Sequence, residues 1–146
     1  MEELFQNELQ NAKGLVATTD ALAKKKIIGL FFSAHRCPPC REFTPLFAQV
    51  YDDIKEAGHD DFEVVFISSD HKAEQFDEYF TEMPWLAMPY AKRDLQDEIS
   101  TKFGVCIIPT LIFVNELGEV LEEEEGRELI ERNATDIDTI LKTLRQ

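Results

Sequence analysis

The chain has 146 residues, 44% of them hydrophobic and 30% charged, with 15 basic against 29 acidic side chains and a net charge of −14. That balance suits a single globular domain over residues 1–146 and argues against a disordered chain. So acidic a chain disfavours phosphate backbones and anionic lipid, and no apolar run approaches the roughly 18 residues of a membrane span, so neither nucleic acid nor membrane is an expected partner.

The first residues, from Met1 to Gln6, carry neither the basic nor the apolar stretch of a secretory signal. Leu15-Val16-Ala17-Thr18 reads as a short edge strand. Ile27-Ile28-Gly29-Leu30-Phe31-Phe32 is continuously apolar, as a strand covered on both faces must be. Cys37-Pro38-Pro39-Cys40 follows, and then Phe43, Phe47, Val50, Tyr51 and Ile54 recur at helical spacing up to Gly58. Pro45 falls inside that helix, where a kink is expected. Residues 62–68 form a second central strand. A helix bearing Phe76, Tyr79 and Phe80 comes next, then a proline-containing loop and a helix bearing Leu95, Ile99 and Phe103. Residues 110–114 are a strand, Asn115-Glu116-Leu117-Gly118 a turn, and Glu119-Val120-Leu121 its expected hairpin partner. The four glutamates 122–125 read as a solvated strand end and loop. Ile137, Ile140, Leu141 and Leu144 mark one face of a last helix, with Thr135 and Asp138 spaced as a capping pair. The order β-α-β, helical connection, β-β-α predicts an α/β fold, a mixed central sheet with helices on both faces.

The chemistry concentrates at the C-x-x-C. Cysteines number three, Cys37, Cys40 and Cys106, an odd and low count that fits a reducing compartment better than a disulfide-stapled scaffold. Cys37 would stand at a helix N-terminus, where free N–H groups and the helix dipole favour a thiolate, the nucleophilic form. Cys40, one turn in, would be less exposed and placed to resolve a mixed disulfide. Pro38 and Pro39 suit first-turn positions, which need no N–H for the helix ladder. Half of a zinc site is the competing reading, but only Cys106, His35, His59 and His71 remain as ligands, with no second close pair.

The C-x-x-C after a buried strand, Pro45 five residues on, and Ile108-Pro109-Thr110 before the hairpin together resemble the thioredoxin superfamily. Phe32-Ser33-Ala34-His35, Arg41, Phe66-Ile67-Ser68-Ser69-Asp70, Met83-Pro84-Trp85-Leu86-Ala87-Met88-Pro89-Tyr90 and Phe103-Gly104-Val105 are similar to the nucleoredoxin and tryparedoxin branch, over residues 15–127. The resemblance implies a thioredoxin fold, dithiol–disulfide exchange, a cis Ile108–Pro109 bond beside Cys37, and an Ile108 backbone that pairs with an extended substrate segment.

Two departures from the family pattern stand out. Arg36 replaces the usual Trp before the first Cys; with His35 and Arg41 it makes a small basic island on an acidic protein, suited to clients with acid near the target disulfide. Phe31 stands where thioredoxins carry a buried Asp, so the proton acceptor for Cys40 has to be water, another carboxylate or Cys37. Asp70 is a candidate, although a cap on the following helix is the expected role. Cys106, three residues before Pro109, reads either as a small buried hydrophobe or as a regulatory thiol.

The expectation is thus a monomeric protein-disulfide reductase, cytoplasmic and also nuclear, with Cys37 attacking and Cys40 resolving. It needs no bound cofactor. The family implies an external reductant, either thioredoxin reductase fed by NADPH or a small thiol, and disulfide-containing clients that include signalling proteins and transcription factors. Oxidation at an exposed Cys106 offers a route to a linked dimer. Two alternatives are a redox-sensing binding module with little turnover and a metal- or cluster-binding thioredoxin-fold protein.

Overall fold

The computed structural model describes residues 1–121 and 126–145; glutamates 122–125 lie outside the described residues, and so does the loop expected there. The chain opens with α1 (Glu2–Phe5), the hairpin β1 (Glu8–Asn11) and β2 (Gly14–Ala17), and α2 (Thr18–Ala21). Then come β3 (Ile27–Ser33), α3 (Pro38–Glu56), β4 (Phe62–Ser68), α4 (Ala73–Phe80), β5 (Leu86–Ala87), α5 (Arg93–Lys102), β6 (Thr110–Val114), α6 (Gly126–Arg132) and α7 (Ile137–Leu144). The six strands form one mixed sheet in the order β2-β1-β5-β4-β3-β6. β3 pairs parallel with β4 from Ile27↔Phe62 to Ser33↔Ser68, and antiparallel with β6.

Every residue of β3 and β4 is buried, as the unbroken apolar runs require. Alternate side chains feed two cores. Ile27, Phe31, Phe62, Val64 and Phe66 face α3, α4, α6 and α7, whereas Ile28, Leu30, Phe32, Val65 and Ile67 face α1 and α5. The first core is strongly aromatic: Phe31 touches Phe43, Phe47, Phe66 and Trp85 at ring-centroid distances of 5.6–6.0 Å. Gly29 admits the close approach of β6, since a Cβ there would stand 3.1 Å from Phe113.

Three local expectations need correction. The partner of β6 shrinks to a single bridge, Val114↔Val120, with Leu121 N–H donating to the Phe113 carbonyl and Asn115 N–H to the Glu119 carbonyl. Asn115 Oδ1 accepts from the Leu117 and Glu119 N–H groups, which closes the turn locally, and Val120 is exposed with no core face to hold a longer strand. The segment expected as a proline loop contains β5, and β2 has a strand partner, β1, that the sequence pattern does not announce. The cap of α7 is Asp136, whose carboxylate accepts from Thr139 N–H (3.2 Å) and Thr139 Oγ1–H (2.7 Å), one position away from the expected Thr135/Asp138 pair. Asp136→Ala is therefore expected to lower the melting temperature by about 2–4 °C, because it leaves first-turn donors unpaired. Thr135→Ala should leave it unchanged. Equal melts for both variants would contradict the assignment of the cap.

Candidate active site

β3 and β4 end side by side at Ser33 and Ser68, and the C-x-x-C loop leaves from that edge. Cys37 is the N-cap of α3, with extended backbone (φ −92, ψ 111), and Pro38 and Pro39 occupy the first helical positions. The helix continues through Pro45 to Glu56. Cys37 is half-buried and Cys40 fully buried, and both are free thiols. The Ile108–Pro109 peptide bond is cis. The Ile108 carbonyl lies 3.9 Å from Cys37 Sγ, a weak S–H···O contact. Pro109 is buried, Ile108 half-buried and Ile107 68% exposed, so an apolar shoulder flanks the half-buried thiol.

Burial pushes the Cys40 thiol up to about 11, and the Cys37 side chain beside it acts in the same direction; the Ser33 side chain and the Ala34 backbone pull the other way. Phe31, at the position of the missing carboxylate, is locked among rings and offers no acceptor. Hydroxyls fill the space behind Cys40 instead. Tyr79 Oη lies 2.7 Å from Ser33 Oγ and 2.5 Å from Thr44 Oγ1, and Thr44 donates to the Cys40 carbonyl (2.8 Å), which Tyr79 Oη also approaches at 3.2 Å. Burial lifts Tyr79 to about 12, so it stays protonated. These hydroxyls come from β3, α3 and α4, and no sequence spacing links them.

Asp70 does not cap α4, whose N-cap is Lys72 with no side-chain bond. It is 3% exposed, and its two carboxylate oxygens accept from His35 N–H (2.7 Å) and Ser68 Oγ–H (2.7 Å). Its carbonyl accepts from Tyr90 Oη–H (2.8 Å). Asp70 thus ties the loop that leads into Cys37 to the end of β4. Arg93 completes the cluster: its guanidinium lies 3.8 Å over the Tyr90 ring and donates to the Ser68 carbonyl (2.9 Å).

The basic island is smaller than its composition implies. Arg36 is exposed, but its guanidinium is docked on the Ser69 carbonyl at 2.6 Å. His35 lies against the Tyr79 ring, with Nδ1 3.8 Å from Glu78. Arg41 is exposed. Cys106 is exposed too, which removes the buried-hydrophobe reading. Among the described residues no three His, Cys, Asp or Glu side chains are grouped as a metal site, and no helix is long and apolar enough to cross a membrane.

A thioredoxin-like family model matches residues 25–120. Human and mouse nucleoredoxins are 43% identical over 103 residues, which is 70% of this chain and 23% of theirs, so the chain spans under a quarter of those relatives. Tryparedoxin from Trypanosoma brucei brucei is 39% identical over 131 residues, covering 82% of this chain and 90% of that one. Among solved structures, tryparedoxin I from Crithidia fasciculata superposes with TM-score 0.80 at 37% identity, over 89% of this chain and 88% of that one. Thioredoxin from Wuchereria bancrofti gives 0.80 at 34% identity, over 97% and 96%. A mixed sheet with a dithiol at its strand edge and relatives of this closeness make the chain a member of the thioredoxin-like oxidoreductase family, akin to the nucleoredoxins and tryparedoxins.

Proposed function

We propose that the protein reduces protein disulfides. The observation that carries this reading is the inequality of the two thiols: Cys37 is accessible at a helix N-cap and Cys40 is fully buried one turn behind it. The Cys37 thiolate attacks one sulfur of a client disulfide, forms a mixed disulfide and releases the client's other sulfur as a thiolate. Cys40 then loses its proton and attacks Cys37 Sγ. The mixed disulfide breaks, the Cys37–Cys40 disulfide forms, and the client leaves as a dithiol. Two electrons pass to the client, and an external reductant, thioredoxin reductase with NADPH or a small thiol, returns them.

Burial does most to hold Cys40 protonated, and the bond to Cys37 and the charge of its thiolate add to it. Once Cys37 is tied up in the mixed disulfide the added part is lost while burial remains, and the Ser33 and Ala34 contacts that favour the Cys40 thiolate stay in place. Cys40 therefore loses its proton more easily at the step that uses it.

The exposed Ile107 and the Ile108 backbone offer an apolar, strand-like docking edge beside Cys37. Arg36 and Arg41 favour clients with acidic residues near the target disulfide. The clients include signalling proteins and transcription factors, and the place of action is the cytoplasm and the nucleus. Reduction of insulin disulfides with dithiothreitol as electron source tests the reading: catalysis well above the uncatalysed rate is expected. A rate equal to that of dithiothreitol alone would leave a binding module in its place.

The protein works as a monomer in this reading, and Cys106 provides its oxidised dimer. Its thiol is exposed on the loop that leads to Pro109, with a 3.6 Å contact to the Gly104 carbonyl. Mild oxidation followed by non-reducing electrophoresis should give a dimer band that Cys106→Ser lacks. An undiminished band in that variant would assign the link to another cysteine.

A further inference from the structure

The sheet ends on two different edges. β6 is covered: the segment 119–121 bonds along it, and α6 begins so close that a side chain on Gly126 would run into the Leu111 carbonyl. β2 is the other edge, four strand spacings or about 19 Å across the sheet from β3. Its residues Gly14-Leu15-Val16-Ala17 carry no charge and no proline, and their register with β1 runs without a bulge, so the usual guards of an open edge are missing.

The register decides which backbone groups face outward. Thr18 N–H donates to the Asn7 carbonyl, so these two residues form a hydrogen-bonded pair at the end of the β1–β2 ladder. Antiparallel pairs alternate, which makes Leu9↔Val16 and Asn11↔Gly14 hydrogen-bonded pairs and turns the peptide groups of Leu15 and Ala17 away from β1. The Ala17 carbonyl, at the N-cap, serves the first turn of α2. Leu15 N–H, Leu15 C=O and Ala17 N–H are left without a partner among the described residues. The Leu15 side chain is 63% exposed, on the sheet face opposite Val16, which packs into the second core. Beside this edge lies a groove of about 400 Å³ whose walls include Glu2, Glu8, Leu15, Val16 and Ala17 and no lysine or arginine. Neither Glu2 nor Glu8 has an ion-pair partner among the described residues; Lys92 reaches the Glu8 carbonyl (3.4 Å) and not its carboxylate.

We propose that β2 docks an extended, basic segment of a partner protein, which joins the sheet as a seventh strand antiparallel to β2. One residue of that segment exchanges both backbone bonds with Leu15 and lays an apolar side chain on it. The residue two positions earlier accepts from Ala17 N–H. A Lys or Arg at that earlier position crosses the small Ala17 side chain towards Glu8, the cross-strand neighbour of Ala17. The span is two strand spacings, about 10 Å, within the combined reach of the two side chains. The unpaired Glu2 carboxylate and a net charge of −14 favour the same sign of partner. The signature of the docked segment is therefore basic-x-apolar.

The probe is the peptide acetyl-Thr-Arg-Thr-Val-Thr-Thr-amide, titrated into the full chain and followed in the nitrogen–proton spectrum. The amide cross-peaks of Leu15 and Ala17 should move downfield and saturate. N-methylation of the peptide's Val removes the donor to Leu15 C=O and should weaken binding about tenfold or more. Replacing its Arg by Glu should weaken binding about fivefold or more. Ala17→Pro deletes the outward N–H at a residue whose φ of −67 already suits proline, so it should keep the fold and disulfide reduction while weakening the peptide about tenfold. Cross-peaks of Leu15 and Ala17 that stay put up to about 1 mM peptide, or an N-methylated or Glu-bearing peptide that binds as tightly as the parent, would overturn the proposal. A wild-type dimer that Ala17→Pro dissolves, with no peptide bound, would give the edge to a second copy of the chain and overturn it as well. The peptide series on wild type decides even where Ala17→Pro fails to fold, and it is independent of the dithiol chemistry.

Discussion

Cys40→Ser is expected to turn the protein into a trap. Cys37 still attacks, but no second thiol stands behind it to break the mixed disulfide, so covalent adducts accumulate and multiple turnover falls by at least about a hundredfold. The buried position suits the exchange: serine is close in size to cysteine, and Ser33 and the Ala34 backbone already offer it polar company. Cys37→Ser removes the attacking atom and is expected to abolish both turnover and adducts. Non-reducing electrophoresis followed by mass spectrometry reads both outcomes. Adducts from Cys37→Ser at the level of Cys40→Ser would reverse the two roles.

Asp70→Ala should be the most damaging change outside the dithiol. The carboxylate is buried and receives the His35 N–H and the Ser68 hydroxyl, so truncation leaves donors unpaired at the root of the active-site loop. A buried donor without a partner costs roughly 1–3 kcal/mol, which puts the variant about 3 kcal/mol below wild type and lowers its melting temperature by about 10 °C. Turnover measured well below that temperature should also fall, because His35 no longer fixes the approach to Cys37. Asp70→Asn keeps an acceptor and should recover most of both losses. If Asp70→Ala melts like wild type, the carboxylate is not what holds the loop.

The legible parts of this fold are those where neighbours in sequence are also neighbours in the core. β3 and β4 announce themselves as unbroken apolar runs because both their faces are covered, and α3 shows its buried stripe from Phe43 to Ile54. β1 and β5 do not: β1 has one fully buried apolar residue, Leu9, and the two strands meet only at Gln10↔Ala87, a pairing set by tertiary packing. The cap of α7 sits one position from the expected pair, since Thr135, Asp136 and Asp138 are all good cap residues and only chain direction decides among them. At the site, the C-x-x-C and Ile108-Pro109 carry their meaning in local sequence. The supporting groups do not. Ser33 and Tyr79 are 46 positions apart, and Asp70 meets His35 only because parallel pairing ends β3 and β4 together.

Disulfide reduction by this site requires an accessible attacking thiol and a buried, protonated resolving thiol. A brief iodoacetamide pulse on the reduced native protein, with each cysteine quantified by peptide mapping from about pH 6 to pH 11, tests that division most directly. Near neutral pH Cys37 and the exposed Cys106 should be labelled while Cys40 stays unmodified. Burial both raises Cys40 and shields its sulfur from the reagent, so its labelling should stay far below that of Cys37 wherever the native fold persists. Labelling of Cys40 ahead of Cys37 at neutral pH would contradict the division of roles.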